Sequence, residues 1–244
     1  RGEEDIWNPT IVWITRHYTL GNLKATMVNM NYSSSLVFSL QISVVTALLQ
    51  CFMCAFAGYS FARYDFKLKG VLFGIVILTI IVPQQMYIIQ LFQIVKNLGL
   101  TDSAGAYWIQ ALFGVGIRSG LFIYIYRQNF RALPTDLEHA AAIDGCGAFQ
   151  KFFYVTLPSI KPTILFALVM LTIGGFNVFT SIKMITGGKP MHQTETVLTW
   201  MYYKAFNTGS FGYAAALSFV VAVTLIFLAV LQFRAMKQKD AANS

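Results

Sequence analysis

Residues 133–158 read LPTDLEHAAAIDGCGAFQKFFYVTLP, a polar helix-turn-helix pattern in a chain whose other long runs are apolar. Pro134, Thr135 and Asp136 form a helix-start signal, with Asp136 and Glu138 in the first turn, where the positive end of the helix dipole favours carboxylates. The helix is expected to run from Pro134 to about Ile143. Asp144 and Gly145 then mark a turn, because glycine reaches the left-handed backbone that ends a helix. A second short helix is expected from Ala148 to Tyr154, halted by Leu157-Pro158. Ala140, Ala141 and Ala142 let a neighbour approach the first helix closely, while Phe149, Phe152, Phe153 and Tyr154 give the second an aromatic surface. An apolar patch outside lipid points to a partner. A hairpin packed on itself at the headgroups is the alternative.

Around this insert the composition is that of a membrane protein. Hydrophobic residues make up 56% of the 244 and charged residues 11%, and the mean hydropathy is +0.59. The formal charge of +8 raises the question of nucleic acid. The basic residues flank apolar segments instead of forming a run, so membrane anchoring is expected and nucleic acid is not. Cys51 and Cys54 lie at i, i+3 in an apolar run and Cys146 is alone, which reads as packing. His17, His139 and His192 fall in separate polar segments without metal-ligand spacing.

Five stretches are long enough to cross about 30 Å of hydrocarbon as helices: residues 35–61, 71–92, 107–126, 163–185 and 211–233. Pro83 interrupts the second near one end. Arg63, Lys67 and Lys69 follow the first span, Arg127, Arg131, Lys151 and Lys161 surround the insert, and Arg234, Lys237 and Lys239 follow the last. These residues mark the cytoplasmic side. Arg1, Arg16, Lys24, Lys96, Lys183, Lys189 and Lys204 spread over longer segments on the other face. The predicted fold class is therefore an all-α polytopic membrane protein. Its parts are an external N-terminal segment 1–34, a membrane domain 35–233 with a cytoplasmic insert 127–161 and an outer loop 185–210, and a cytoplasmic tail 234–244. Because the chain begins at Arg1, an upstream sixth span is expected.

The insert resembles the cytoplasmic signature of membrane-spanning permease subunits of ATP-binding-cassette importers, which reads E-A-A, three residues, G, nine residues, I-x-L-P. Here His139-Ala140-Ala141 takes the first position, Gly145 the glycine, Val155 the isoleucine, and Leu157-Pro158 the ending. The departure is His139 where the signature has an acid, with Glu138 just before it, so no essential charge is assigned to position 139. The likeness extends over nearly the whole chain to the carbohydrate-uptake branch that includes maltose-type permeases. AGYSFARYDFKLKG (57–70) is similar to that branch's first cytoplasmic turn, PQQMYIIQLFQIVKNLGLTDS (83–103) to its next outer loop, and AAIDG to its form of the signature. TGGKP (186–190), TET (194–196) and Ala205-Phe206 match the outer loop before the last span.

That resemblance implies a type I importer permease fold. It also implies as partners a second, different permease chain, two cytoplasmic ATPases, an external solute-binding protein and the lipid bilayer. Pro134, Asp136, Glu138, His139, Ala140, Ala141, Asp144, Gly145, Leu157 and Pro158 would form the ATPase-coupling element. Thr186, Gly187, Gly188, Lys189 and Pro190 would form a pliable loop that enters the binding protein's cleft. An ordinary flexible connection is the alternative for that loop. No Gly-x-x-x-x-Gly-Lys-[Ser/Thr] phosphate loop occurs, so ATP and Mg belong to the partner ATPases, and no catalytic residue, cofactor or metal is expected here.

Arg118 lies mid-span between Gly116 and Gly120, and an intramembrane charge is a functional hypothesis by default. Gln110, Gly114, Arg118 and Phe122 recur at i, i+4, one stripe of a continuous helix that would face the translocation path. A carbonyl cap or an ion pair with the partner subunit explains Arg118 equally well. On the path, its guanidinium would suit an acidic, uronate-containing oligosaccharide, with Lys183 adding positive field. Phe176 and Asn177 are further path candidates, the amide serving alternatively as an interhelical hydrogen bond. The rival readings are a permease for phosphorylated glycerol, a polyamine or a peptide, and a membrane-embedded enzyme. No Asp or Glu lies within the five spans to attract a polyamine, and no nucleophile-base set or paired acids appear there.

Overall fold

The structure is a computed structural model. It describes residues 20–28, 32–83, 86–101, 103–116, 118–176, 182–183 and 196–241. Among the described residues there is no strand, in keeping with the expected all-α class. The helices are α1 (Gly21–Val28), α2 (Tyr32–Leu40), α3 (Thr46–Arg63), α4 (Lys69–Ile81), α5 (Ile88–Asn97), α6 (Gly105–Leu112), α7 (Ser119–Ala132), α8 (Asp136–Ile143), α9 (Ala148–Ser159), α10 (Lys161–Phe176), α11 (Val197–Tyr202) and α12 (Phe211–Ala241).

Uninterrupted apolar sequence makes the long helices. A π-helical turn, Gln41–Val45, joins α2 to α3 without a break, so that Leu36–Arg63 forms one apolar helix of 28 residues. It ends where Tyr64 turns extended, and its last turn carries Arg63. Phe211–Ala235 is the second helix long and apolar enough to cross a bilayer alone. Helices α9 and α10 meet that test only as a pair, with an 80° bend between them.

Two of the five expected spans are not continuous helices. In 71–92, α4 stops at Ile81 and Val82 is extended, the backbone that a following proline demands, here Pro83. The chain resumes helix at Ile88. In 107–126, α6 stops at Leu112. Gly114 adopts φ +65°, its N–H donates to the Ala111 carbonyl at 3.1 Å, and Val115 N–H reaches back to Gln110 O at 2.9 Å. This is the Schellman ending, which suits glycine in the left-handed region. Arg118 is also left-handed, at φ +57°, just before α7. Of the fourth stretch, 163–185, the structure describes α10 to Phe176 and then only Ile182 and Lys183.

Helix α3 is the centre of the packing, against α6, α7 and α10. Its inner face is built from small side chains: Ala47, Cys51, Cys54, Ala55 and Gly58 are all buried. Small residues let helix backbones approach closely in lipid, where helix association gains from van der Waals packing instead of solvent exclusion. At Gly58 a methyl group would sit 2.6 Å from Tyr126 Cβ and 3.0 Å from Arg127 N, so only glycine fits the α3–α7 crossing. At Gly175 an added Cβ would lie 2.8 Å from Ser43 Cα, giving α10 the same close approach to the π-helical turn. The cysteines belong to this packing: Cys51 Sγ lies 3.0 Å from Tyr126 Oη, and Cys54 Sγ donates to Ser119 O at 3.7 Å. On α4, by contrast, Val71, Leu72, Ile75, Leu78, Ile80 and Ile81 are exposed.

Gly58→Leu is expected to destabilise the fold by about 1–3 kcal/mol through overpacking. Thermal unfolding in detergent should show a lowered midpoint. Gly74→Ala is the control, since an added Cβ there meets nothing within 4 Å.

Candidate functional site

Helix α8 begins at Asp136, two residues after the expected start, with the acids Asp136 and Glu138 in its first turn. Thr135 stands at the N-cap, yet its hydroxyl caps no backbone N–H; its backbone is already helical. The C-terminus follows the sequence closely. Gly145 has φ +84°, Gly145 N–H donates to Ala142 O at 3.1 Å, and Cys146 N–H to Ala141 O at 2.9 Å, a second Schellman turn. The chain reverses into α9, whose entry is held by Gly147 N–H donating to Gln150 Oε1 at 2.9 Å.

Leu157-Pro158 does not stop this second arm. Helix continues through Ser159, and the bend comes after it. Residues Lys151–Thr156 are π-helical, and that wider turn alters the carbonyl spacing ahead of a proline that has no N–H to give. Phe152 also departs from expectation. It is buried, 5.0 Å from the Tyr59 ring centroid and 6.3 Å from that of Phe130. Tyr59 and Phe130 are themselves 5.4 Å apart, edge to face. These three rings join α9 to the ends of α3 and α7, so Phe152 is part of the mounting and not of an outer surface.

A polar cluster completes the mounting. Arg63 Nε donates to Glu138 Oε1 at 3.0 Å, and the two side chains are only 12% and 17% exposed. Arg63 Nη2 donates to the Leu133 carbonyl at 2.9 Å. Thr156 Oγ1 donates to Glu138 Oε1 at 3.3 Å and Tyr59 Oη to Oε2 at 3.4 Å. Glu138 therefore touches α3 and both arms of the hairpin. Ala141 is buried, whereas Asp136, His139, Ala140, Asp144 and Gly145 are exposed, as are Pro134 and Pro158. Leu157 packs partly into the main core.

Around the reversal the hairpin presents Ile143 at 87% exposure, Tyr154 at 80% and Phe149 at 73%. A packed base thus carries an uncovered apolar tip. Phe153 is less exposed and stacks on Phe52 of α3, ring centroids 6.0 Å apart.

The expected stripe Gln110, Gly114, Arg118 and Phe122 does not exist as a helix face, because the chain leaves helix between α6 and α7. Three of its members nevertheless meet in space. Gln110, Arg118 and Phe122 line a cavity of about 30 Å³ together with Thr46, Gln50 and Tyr107. Gln50 is buried and donates Nε2 to Ser119 Oγ at 2.8 Å, and Gln110 Nε2 donates to Ala106 O at 2.8 Å. Among the described residues, the hydroxyls of Thr46 and Tyr107 are buried without a hydrogen-bond partner. Sequence reading missed Gln50, Thr46 and Tyr107; the signal for Gln50 was an amide inside the first apolar run. Phe176 is buried in α10. Asn177 and the loop Thr186, Gly187, Gly188, Lys189 and Pro190 lie outside the described residues. Lys183 lies over the Tyr202 ring, 3.7 Å from its centroid, and not in the cavity.

Residues 54–237 match the protein family described as binding-protein-dependent transport system inner membrane component. A probable ABC transporter permease protein of Bacillus subtilis (strain 168), YurN, is 34% identical over 118 residues, 48% of this chain and 40% of that one. The trehalose/maltose transport system permease protein MalF of Thermococcus litoralis is 36% identical over 111 residues, 43% of this chain and 37% of its own length. The arabinooligosaccharides transport system permease protein AraQ of Bacillus subtilis is 26% identical over 190 residues, 78% and 66% of the two chains. The chain thus spans about two fifths of the first two relatives and two thirds of the third. Among solved structures, a bacterial ABC transporter involved in the import of the acidic polysaccharide alginate superposes with a TM-score of 0.73, covering 92% of this chain and 85% of that one at 15% identity. That likeness shows the fold.

Gly145→Val is expected to strain the turn by about 1–2 kcal/mol, the cost of left-handed backbone for a residue with a Cβ. Nothing lies within 4 Å of an added Cβ there, so the effect is conformational and Gly145→Asn should recover most of it. Hydrogen exchange at the Gly145 and Cys146 amides should accelerate in the valine variant and stay near wild type in the asparagine one.

Proposed function

The chain belongs to the family of binding-protein-dependent transport system inner membrane components, and on that premise we propose that it is the permease subunit of an ATP-driven importer for carbohydrate. It is a transport component and not an enzyme. The observation that carries the coupling reading is the hairpin: an exposed tip of Ile143, Phe149 and Tyr154 on a base joined to α3. In this reading α8, with Pro134, Asp136, His139, Ala140 and the Gly145 turn, seats in a surface groove of a cytoplasmic ATPase. Closure of the ATP- and Mg-bound ATPase dimer moves the hairpin as a rigid body, and the spans pass from inward-open to outward-open. A second permease chain completes the pore. The segment 186–190 reaches the external binding protein that delivers solute.

Five spans in this chain remain the topology we propose, with α4 and α5 and likewise α6 and α7 acting as broken crossings whose ends are packed by neighbours. The positive residues at the hairpin end orient it to the cytoplasm. For cargo, relatives named for trehalose/maltose and arabinooligosaccharide transport support carbohydrate over phosphorylated glycerol, polyamine or peptide. A finer reading, an acidic oligosaccharide, is favoured by Arg118, an exposed residue that lines the cavity together with Gln110 and Phe122.

Burial of a side chain as large as Ile143 contributes about 1.5–3 kcal/mol. Ile143→Asp should therefore weaken co-purification of the ATPase subunits at least about tenfold. Gly145→Asp should leave the protein inserted while ATP hydrolysis no longer drives uptake in proteoliposomes. Wild-type uptake and ATPase retention in both variants would sink the coupling assignment. For cargo, Arg118→Gln should reduce uptake of uronate-containing oligosaccharides more than neutral ones; equal loss of both removes the charge-selective reading.

A further inference from the structure

Helix α3 is not covalently adjacent to the hairpin. Arg63 and Glu138 are 75 positions apart, whereas α8 continues from α7 and α9 runs into α10. A push on the hairpin reaches α7 and α10 through the chain itself, but α3 can follow only through contacts. The apolar part of that contact is the cluster of Tyr59, Phe130 and Phe152. Apolar faces adhere without fixing register, because the attraction has no direction. Directional bonds fix it.

Glu138 supplies those bonds. Its two oxygens accept from Arg63 and Tyr59 on α3 and from Thr156 on the second arm. Arg63 closes the set by donating to Leu133 O, at the junction between α7 and the hairpin. Leu133, Pro134, Leu137, Val155 and Ser159 line the niche that holds the pair, which is mostly shielded from solvent. Charge-assisted hydrogen bonds are stronger and shorter than neutral ones, and a pair shielded from solvent is screened less than a surface pair. About three and a half to five turns further along the same apolar helix, Gln50 and Thr46 of α3 line the cavity that Gln110, Arg118 and Phe122 share.

We infer that Arg63 and Glu138 are positioning residues that lock α3 to the hairpin, so that displacement of α8 is delivered along α3 to the cavity lined by Gln50, Gln110 and Arg118. The inference rests on the coupling reading above, and adds a route to it. Glu138 acts inward, on its own chain, while the exposed tip acts outward on the ATPase. Removing the charge at position 138 leaves the tip intact and frees α3 to lag behind.

The test uses the complete importer, reconstituted with its ATPases and binding protein, and reads ATP hydrolysed per molecule transported. Glu138→Gln and Arg63→Glu should raise that ratio about fivefold, the lower end of usual coupling effects, with ATPase subunits still co-purifying at wild-type level. The exchanged pair Arg63→Glu with Glu138→Arg should bring the ratio back towards wild type, which loss of packing alone would not do. A wild-type ratio in both single variants, while Ile143→Asp still releases the ATPases, overturns the lock and leaves the coupling reading standing. Retained ATPases in Ile143→Asp overturn that reading instead. Should Glu138→Gln fail to assemble, Glu138→Asp gives the same readout with the carboxylate withdrawn by one methylene: a raised ratio supports the lock, and a wild-type ratio overturns it.

Discussion

The close crossing of α3 and α7 at Gly58 sets the spacing on which the remaining packing depends. With 2.6 Å between a would-be methyl and Tyr126 Cβ, the two backbones lie as near as a helix pair permits. Cys51, Cys54 and Ala55 extend that narrow face, and Gly120 repeats the arrangement toward α4, where an added Cβ would meet Thr79 Oγ1 and, at 2.7 Å, Val76 O. In a bilayer, helices gain nothing from excluding water, so close fit and hydrogen bonds must hold them. The buried bonds Gln50 to Ser119 and Cys51 to Tyr126 lie on this same interface.

From that interface the ends of α3 and α7 emerge as a platform. Tyr59 and Phe130 present their rings to Phe152, and Arg63 presents its guanidinium to Glu138 and Leu133. The hairpin is consequently packed and hydrogen-bonded at its root and uncovered at its tip. In the coupling proposed above, such a packed root would let a small displacement at one end be felt at the other, since packed interfaces shift between discrete arrangements and do not deform continuously.

Much of this was legible in the sequence, and the misses have physical causes. The helix ending at Ile143, the Gly145 reversal and the long first and last helices follow from local signals that tertiary structure had no reason to override. Apolar length alone could not tell a continuous helix from two pieces: Gly114 reads as a tolerated glycine until its φ is known, and Pro83 breaks its stretch more fully than a kink. Phe152 looked like its neighbours Phe149 and Tyr154, because side chains on one short arm cannot be sorted into root and tip without knowing what lies behind them. Glu138 posed the converse problem. Its place in a first turn suggested a dipole effect, and its partners come from 75 positions upstream, beyond the reach of any local pattern. The convergence of Gln110, Arg118 and Phe122 was found for the wrong reason, a helical stripe that the break abolishes.

That break carries its own consequence. Among the described residues between Leu112 and Ser119, several main-chain N–H and C=O groups lack the partners a continuous helix would give them. Hydrocarbon offers no substitute donors or acceptors, so irregular backbone at membrane depth survives only against protein or an aqueous space. On the five-span topology proposed above, the side carrying Phe113 to Gly116 and Arg118 would therefore turn away from lipid. In an inner-membrane protein this chooses, without reference to any side chain, which face turns toward another chain or toward water, and which is left for the bilayer.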